Sequence, residues 1–132
     1  MNEQIFLTLA QQELFEIVSV LEAAIDSAGI DADITYQDGV VEIEFDDTGK
    51  IVLNQHLAMQ EIWLAARLGA YHFSPSSDGW RDTRGQSSLR AVLARALLAH
   101  SGGKLAVDEA WAAQGSLEPG SSAAASVGKC SS

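Results

Sequence analysis

Four acids in one short span carry the chemistry most open to this chain. Glu22 and Asp26 are one helical turn apart, so on a helix they project from the same side. Asp31 and Asp33 follow at alternate positions, entering a β-rich run. Side by side, these carboxylates would line one edge of a domain. Like charges one turn apart cost roughly 0.2–0.5 kcal/mol per pair. A hard cation would relieve that repulsion, because carboxylate oxygens suit iron, manganese, magnesium and calcium ions. An exposed row lacking histidine and thiolate would bind weakly and discriminate poorly. On spacing alone, a solvated helix edge is the simpler reading.

A second feature is a tryptophan in an awkward place. The stretch EIWLAA, Glu61 to Ala66, alternates as a strand does. Ile62, Leu64 and Ala66 share one face; Glu61, Trp63 and Ala65 share the other. Burying the first set keeps Glu61 in water but leaves the largest apolar ring of the segment outside.

Ordinary active-site patterns are missing. The chain contains no G-x-G-x-x-G, P-loop, G-x-S-x-G or H-E-x-x-H motif. His56, His72 and His100 fall in a loop, a strand and a helix end without ligand spacing, and read as surface or packing histidines. The sequence DDTGK lacks the spaced ligands and closing glutamate of a calcium loop and reads as a turn. Cys130 is the only cysteine, which excludes an internal disulfide and a thiolate zinc site. A non-enzymatic protein is expected.

Charge narrows the partners. The net charge over 132 residues is -10, and Met1–Leu53 holds twelve acids against the single base Lys50. Such a field repels nucleic acid and anionic lipid and attracts cations or a basic protein surface. No apolar run approaches the roughly 20 residues that span a bilayer, and the N-terminus resembles neither a secretion signal nor a transit peptide. A cytoplasmic protein is expected, with neither nucleic acid nor membrane as partner.

The elements that must position these residues follow from period and punctuation. Asn2 caps a helix starting at Glu3, whose apolar positions Phe6, Leu9, Ala10, Ile17, Leu21, Ala24 and Ala28 recur every three or four residues; Gly29 stops it. Asp38-Gly39 between two β-rich runs marks a two-residue hairpin. In VVEIEF, Val41, Ile43 and Phe45 face in while Glu42 and Glu44 face out. KIVLN, EIWLAA, AYHFS and a short WRD supply further strands. A second helix runs from about Ser87 to His100, with Leu89, Val92, Leu93, Ala96 and Leu97 as its stripe. Helices at both ends of an antiparallel meander predict an α+β fold with both helices on one face of the sheet. Glu42, Glu44, Glu61 and Trp63 then point to the open face. KLAV packs as a last extended segment. The domain is expected over 1–107. From about Asp108 the Ala/Ser/Gly-rich remainder, 108–132, reads as a mostly disordered tail, with one helical turn around Trp111 as its one candidate element, and its removal is expected to leave stability nearly unchanged.

The stretch NQHLAMQEIWLAARLGAYHF, followed by DGWRDTRG and a terminal helix, resembles the frataxin family, specifically its bacterial CyaY-type members. The resemblance spans about Asn2 to Val107 and rests on Asn54, the pair Ile62-Trp63, LAA at Leu64–Ala66, YHF at Tyr71–Phe73, and Trp80. It implies a frataxin-like α+β sandwich and iron, ferrous or ferric, bound weakly along an acidic ridge that falls here on Glu22, Asp26, Asp31 and Asp33. It further implies a role in iron–sulfur cluster assembly, with the cysteine desulfurase and the iron–sulfur scaffold protein as partners. The partner-binding face falls on Asn54, Glu61, Trp63, Glu42 and Glu44, and would account for the outward Trp63. A monomer is expected, with an iron-dependent oligomer that oxidises or stores iron as the distant alternative. A purely regulatory module of the desulfurase with little iron binding is the nearer one. Val18 and Ser19 stand where bacterial relatives usually carry acids, and Ala23 interrupts the next pair, so the ridge is thinned. Ala58 replaces a proline, Glu61 stands where glutamine is common, and Ala70 replaces a second glycine.

Overall fold

The computed structural model describes residues 2–46, 48–77, 79–85, 87–107 and 111. The elements run α1 (Glu3–Ala28), β1 (Ala32–Gln37), β2 (Val40–Phe45), β3 (Gly49–His56), β4 (Glu61–Ala66), β5 (Gly69–Ser76), β6 (Gly79–Asp82) and α2 (Leu89–His100). All six strands form one antiparallel sheet whose spatial order follows the chain.

Local chemistry sets the boundaries. The Asn2 side chain accepts from the Ile5 N–H at 2.8 Å, satisfying one orphan donor of α1. Gly29 closes the helix at φ 67°, its N–H reaching the Ile25 and Asp26 carbonyls. Asp38 and Gly39 both take positive φ, 55° and 77°, as a type I′ hairpin turn requires. Ser88 caps α2 by accepting from the Ala91 N–H at 3.1 Å.

Both helices cover one sheet face. Phe6, Ala10, Leu14, Ile17 and Leu21 of α1 and Leu89, Val92, Leu93, Ala96 and Leu97 of α2 are fully buried against Val41, Ile43, Ile51, Leu53, Ile62, Leu64 and Phe73. Phe6 meets Trp80 edge-on, with centroids 6.0 Å apart. Two stripe assignments on α1 need correction. Leu9 is 38% exposed, because at about 100° per residue it lies about 100° from the centre of the buried stripe. Ala28 is also exposed, as α1 runs past the sheet there. Leu14, Val18 and Val20 supply burial instead.

The helices are joined by Arg90. Its Nε and Nη2 donate to the two Glu13 oxygens at 2.9 Å each, and Nη2 also donates to Glu16 at 2.9 Å. The Arg90 guanidinium lies 5.4 Å over the Trp111 ring, which is 6% exposed. Leu105 and Val107 are buried, so KLAV packs as expected. Packing therefore reaches four residues past the expected boundary. The rest of the 108–132 segment, Cys130 included, lies outside the described residues, as does Asp47 of the DDTG turn.

Candidate functional site

Among the described residues, no helix covers the second face of the sheet. Since Ile51, Leu53, Ile62, Leu64 and Phe73 point into the core, Asn54, His56, Glu61, Trp63 and His72 point the other way. Register places Asn54 directly across from Trp63, and Trp63 directly across from His72. His56 pairs with Glu61. One diagonal and one direct neighbour thus bring two imidazoles to the indole. The His56 ring stacks on Trp63 with centroids 4.2 Å apart at 11°, and the His72 ring stacks on the other side at 4.3 Å and 5°. Trp63 Nε1 donates to Glu61 Oε1 at 2.8 Å. The same oxygen lies 3.5 Å from His72 Nδ1.

The sequence placed Trp63 on the open face, and it stands there, half-buried between the rings. His56 and His72 are packing histidines, as the sequence suggests, but His56 ends β3 rather than lying in a loop, and both rings pack on the same indole. Cross-strand register made them neighbours, and their separation in sequence concealed it. Glu61 does more than add charge beside the indole, because it fixes the ring's N–H. The imidazoles lie on opposite faces of Trp63, so they do not converge on one ion.

Of the other residues expected on this face, Glu42 pairs with Lys50 Nζ at 3.4 Å. Glu44 sits across from Asp33 on one side and Lys50 on the other. Asn54 is half-buried beside Trp63.

The acidic row lies at the sheet edge. Glu22 and Asp26 at the end of α1 and Asp33 on β1 line an open groove of about 340 Å³, with Ile25, Ile30 and Ile34 as apolar walls. Asp31 does not line it. It faces a neighbouring depression with Asp46 and Lys104. Glu22 and Asp26 border the groove from α1, Asp33 borders it from β1 with its side chain turned to the helix-free face across from Glu44, and Asp31 lines the neighbouring depression that Lys104 also lines. Among the described residues, no three His, Cys, Asp or Glu side chains converge closely enough to hold an ion. The groove offers diffuse negative potential rather than a coordination cage.

His100 is a structural residue. It is 2% exposed, its ring lies tilted at 32° against Phe45 with centroids 5.2 Å apart, and its Nε2 accepts the Arg67 N–H at 3.2 Å. Burial, and secondarily the Arg67 charge, push its imidazole below the ordinary value.

An open-faced six-stranded meander under two terminal helices, with the acids gathered at the α1–β1 edge, is the architecture against which relatives are judged. The family model for the frataxin-like domain matches residues 1–103. This chain belongs to the frataxin-like family. The frataxin-like chain is similar to the iron-sulfur cluster assembly protein CyaY of Ralstonia pickettii (strain 12J), at 42% identity over 96 residues, 72% of this chain and 84% of that protein. It is 39% identical over 105 residues to the CyaY protein of Cupriavidus taiwanensis, covering 80% of this chain and 95% of that one. Its fold matches frataxin from Psychromonas ingrahamii with a TM-score of 0.68 at 24% identity, over 80% of this chain and 97% of that one. A trimeric yeast frataxin complexed with ferrous iron matches with a TM-score of 0.63 at 23% identity, over 70% and 85%. No helix of the described residues is long and apolar enough to cross a membrane.

Proposed function

We propose that this frataxin-family chain is a cytoplasmic, non-enzymatic accessory of iron–sulfur cluster assembly. It attracts iron weakly as cargo along the α1–β1 edge and docks on the cysteine desulfurase and its scaffold protein through the open sheet face. Membership of the family, with relatives named for cluster assembly, supports the process. One observation carries the docking role: Trp63, a large ring oriented by Glu61, stands on the sheet face that neither α1 nor α2 covers. Tryptophan in such a position is the residue type that dominates interface energetics. For iron, the supporting feature is the groove carrying Glu22, Asp26 and Asp33, with Asp31 next to it. Hard carboxylate oxygens suit iron in either valence, and the acidic field concentrates cations before any ligation.

A second reading is favoured by the absence of a converging triad of ligands among the described residues. In it the acids serve mainly to meet a basic surface of the desulfurase, and the chain regulates that enzyme with little iron bound. A heteronuclear NMR titration, with ferrous iron and separately with the desulfurase, separates the two. Iron donation requires that amides around Glu22, Asp26, Asp31 and Asp33 shift first with iron, and that the effect fall with salt, exposed charges being screened over about 10 Å at 0.1 M. Shifts centred on His56 or His72 would sink the ridge. Absence of any iron response, with an intact desulfurase response, selects the regulatory reading.

A further inference from the structure

The His56–Trp63–His72 stack gives the open face a property that docking alone does not require. Histidine is the side chain whose ordinary titration spans neutral pH, and two of them enclose the ring at the centre of the face. The surrounding charges are mostly acidic. Glu61 on β4 touches both Trp63 and His72. Glu42 and Glu44 on β2, and Asp33 on β1, stand further across the sheet, with Lys50 on β3 among them. Asp38 lies in the β1–β2 turn at the His56 end, where the Gln55 N–H bonds the Gly39 carbonyl. On β6, Arg81 sits across from Ser74, two residues along β5 from His72. Acids thus outnumber bases on this face, and the occupant that complements it is a basic protein surface.

Protonation changes the face in two ways. An imidazolium at His72 faces Glu61 Oε1 from 3.5 Å and competes for the oxygen that tethers Trp63 Nε1 at 2.8 Å. At His56, Nδ1 is buried and has no hydrogen-bond partner among the described residues. A second N–H placed there has no acceptor, a cost that disfavours the charged ring in its position on the indole. Both events loosen the central anchor. Both also add positive charge where a basic partner would sit.

We propose that the His56–Trp63–His72 stack makes docking on this face proton-linked: the face holds a basic partner surface with both imidazoles neutral and releases it as they protonate. The inference rests on the docking reading given above, and its test separates the two. Desulfurase affinity is measured by titration calorimetry at about pH 8 and about pH 6 for three full-length chains: the unaltered protein, Trp63→Ala, and a double variant with His56→Phe and His72→Phe. The phenylalanines keep flat rings beside the indole and remove the protons. Docking that excludes two protons is linked to their uptake, and a weakening of roughly tenfold between the two pH values is the loss to be read. The expected result is that loss in the unaltered protein and less than about a twofold change in the double variant. Titration of the desulfurase's own groups cancels in the comparison. Equal pH dependence in both chains overturns the inference and leaves docking standing. A double variant that has lost binding at both pH values overturns it too, because the imidazoles would then be contacts and not a switch. If Trp63→Ala binds as tightly as the unaltered protein at both pH values, the docking reading itself is wrong.

Discussion

Trp63→Ala distinguishes the stacked arrangement from a merely exposed ring. A free surface side chain would change stability by no more than about 0.5 kcal/mol. Here the indole is held by two stacked imidazoles and by one hydrogen bond to a carboxylate. Each aromatic pair contributes about 0.5–1.5 kcal/mol beyond area, and a net hydrogen bond adds about 1 kcal/mol. Half-burial reduces the total, so a loss of about 2 kcal/mol is expected. That is less than the roughly 3–5 kcal/mol of a core tryptophan. For a domain of this size the thermal midpoint falls by about 10 °C. Binding to the desulfurase or scaffold should weaken by about 2 kcal/mol or more, about thirtyfold. Chemical denaturation and a binding isotherm on the same variant measure both. Ile62→Ala and Leu64→Ala serve as controls, since these fully buried neighbours should lose about 2–5 kcal/mol and damage the fold first. Stability within 0.5 kcal/mol of the parent would mean the rings do not stack in solution. A loss above about 4 kcal/mol with unchanged partner affinity would invert the strand facing.

Trp111→Ala should cost about 3 kcal/mol by thermal or chemical denaturation, contrary to the expectation that removing the chain after about Asp108 leaves stability nearly unchanged, since this ring is 6% exposed and packs under Arg90. Arg90→Met strands Glu13, whose side chain is 12% exposed, without its cation and should cost about 3 kcal/mol in the same assay; Arg90→Lys should recover part of this, because one ammonium cannot reproduce the fork. For His100, the folded chain resists protonation, so the unfolded chain takes up the proton first as pH falls below the ordinary imidazole value of 6.5. Stability is full above that pH and declines below it by up to about 1.4 kcal/mol per unit until the folded group also titrates. His100→Phe should flatten that part of a stability-versus-pH curve.

Features encoded within a few residues were legible in the sequence. The Asn2 cap, the Gly29 stop and the Asp38-Gly39 turn each depend on one backbone conformation and one nearby hydrogen bond. Period two put Val41, Ile43 and Phe45 inside, and it put Trp63 outside. Register was not legible, and the site depends on it. His56 and His72 are sixteen residues apart, and only the pairings Asn54 with Trp63 and Trp63 with His72 bring their rings to one indole. Asp31 shows the converse. Alternation suggests that it accompanies Asp33, but it precedes β1 and turns to a different depression. Arg90 lies outside the apolar stripe of α2, and it is the joint between the helices because α1 and α2 lie side by side.

The consecutive strand order bears on how quickly the fold is gained and lost. Each strand pairs with its sequence neighbour, so the sheet can zip hairpin by hairpin with short loop closures. The Arg90–Glu13 bond joins residues 77 apart and forms only once both chain ends have arrived. Contacts made after the rate-limiting step leave the folding rate almost untouched and govern escape from the native state. Arg90 is therefore a kinetic lock: its loss should raise the unfolding limb of a chevron throughout at nearly unchanged slope, while refolding proceeds at nearly the parental speed.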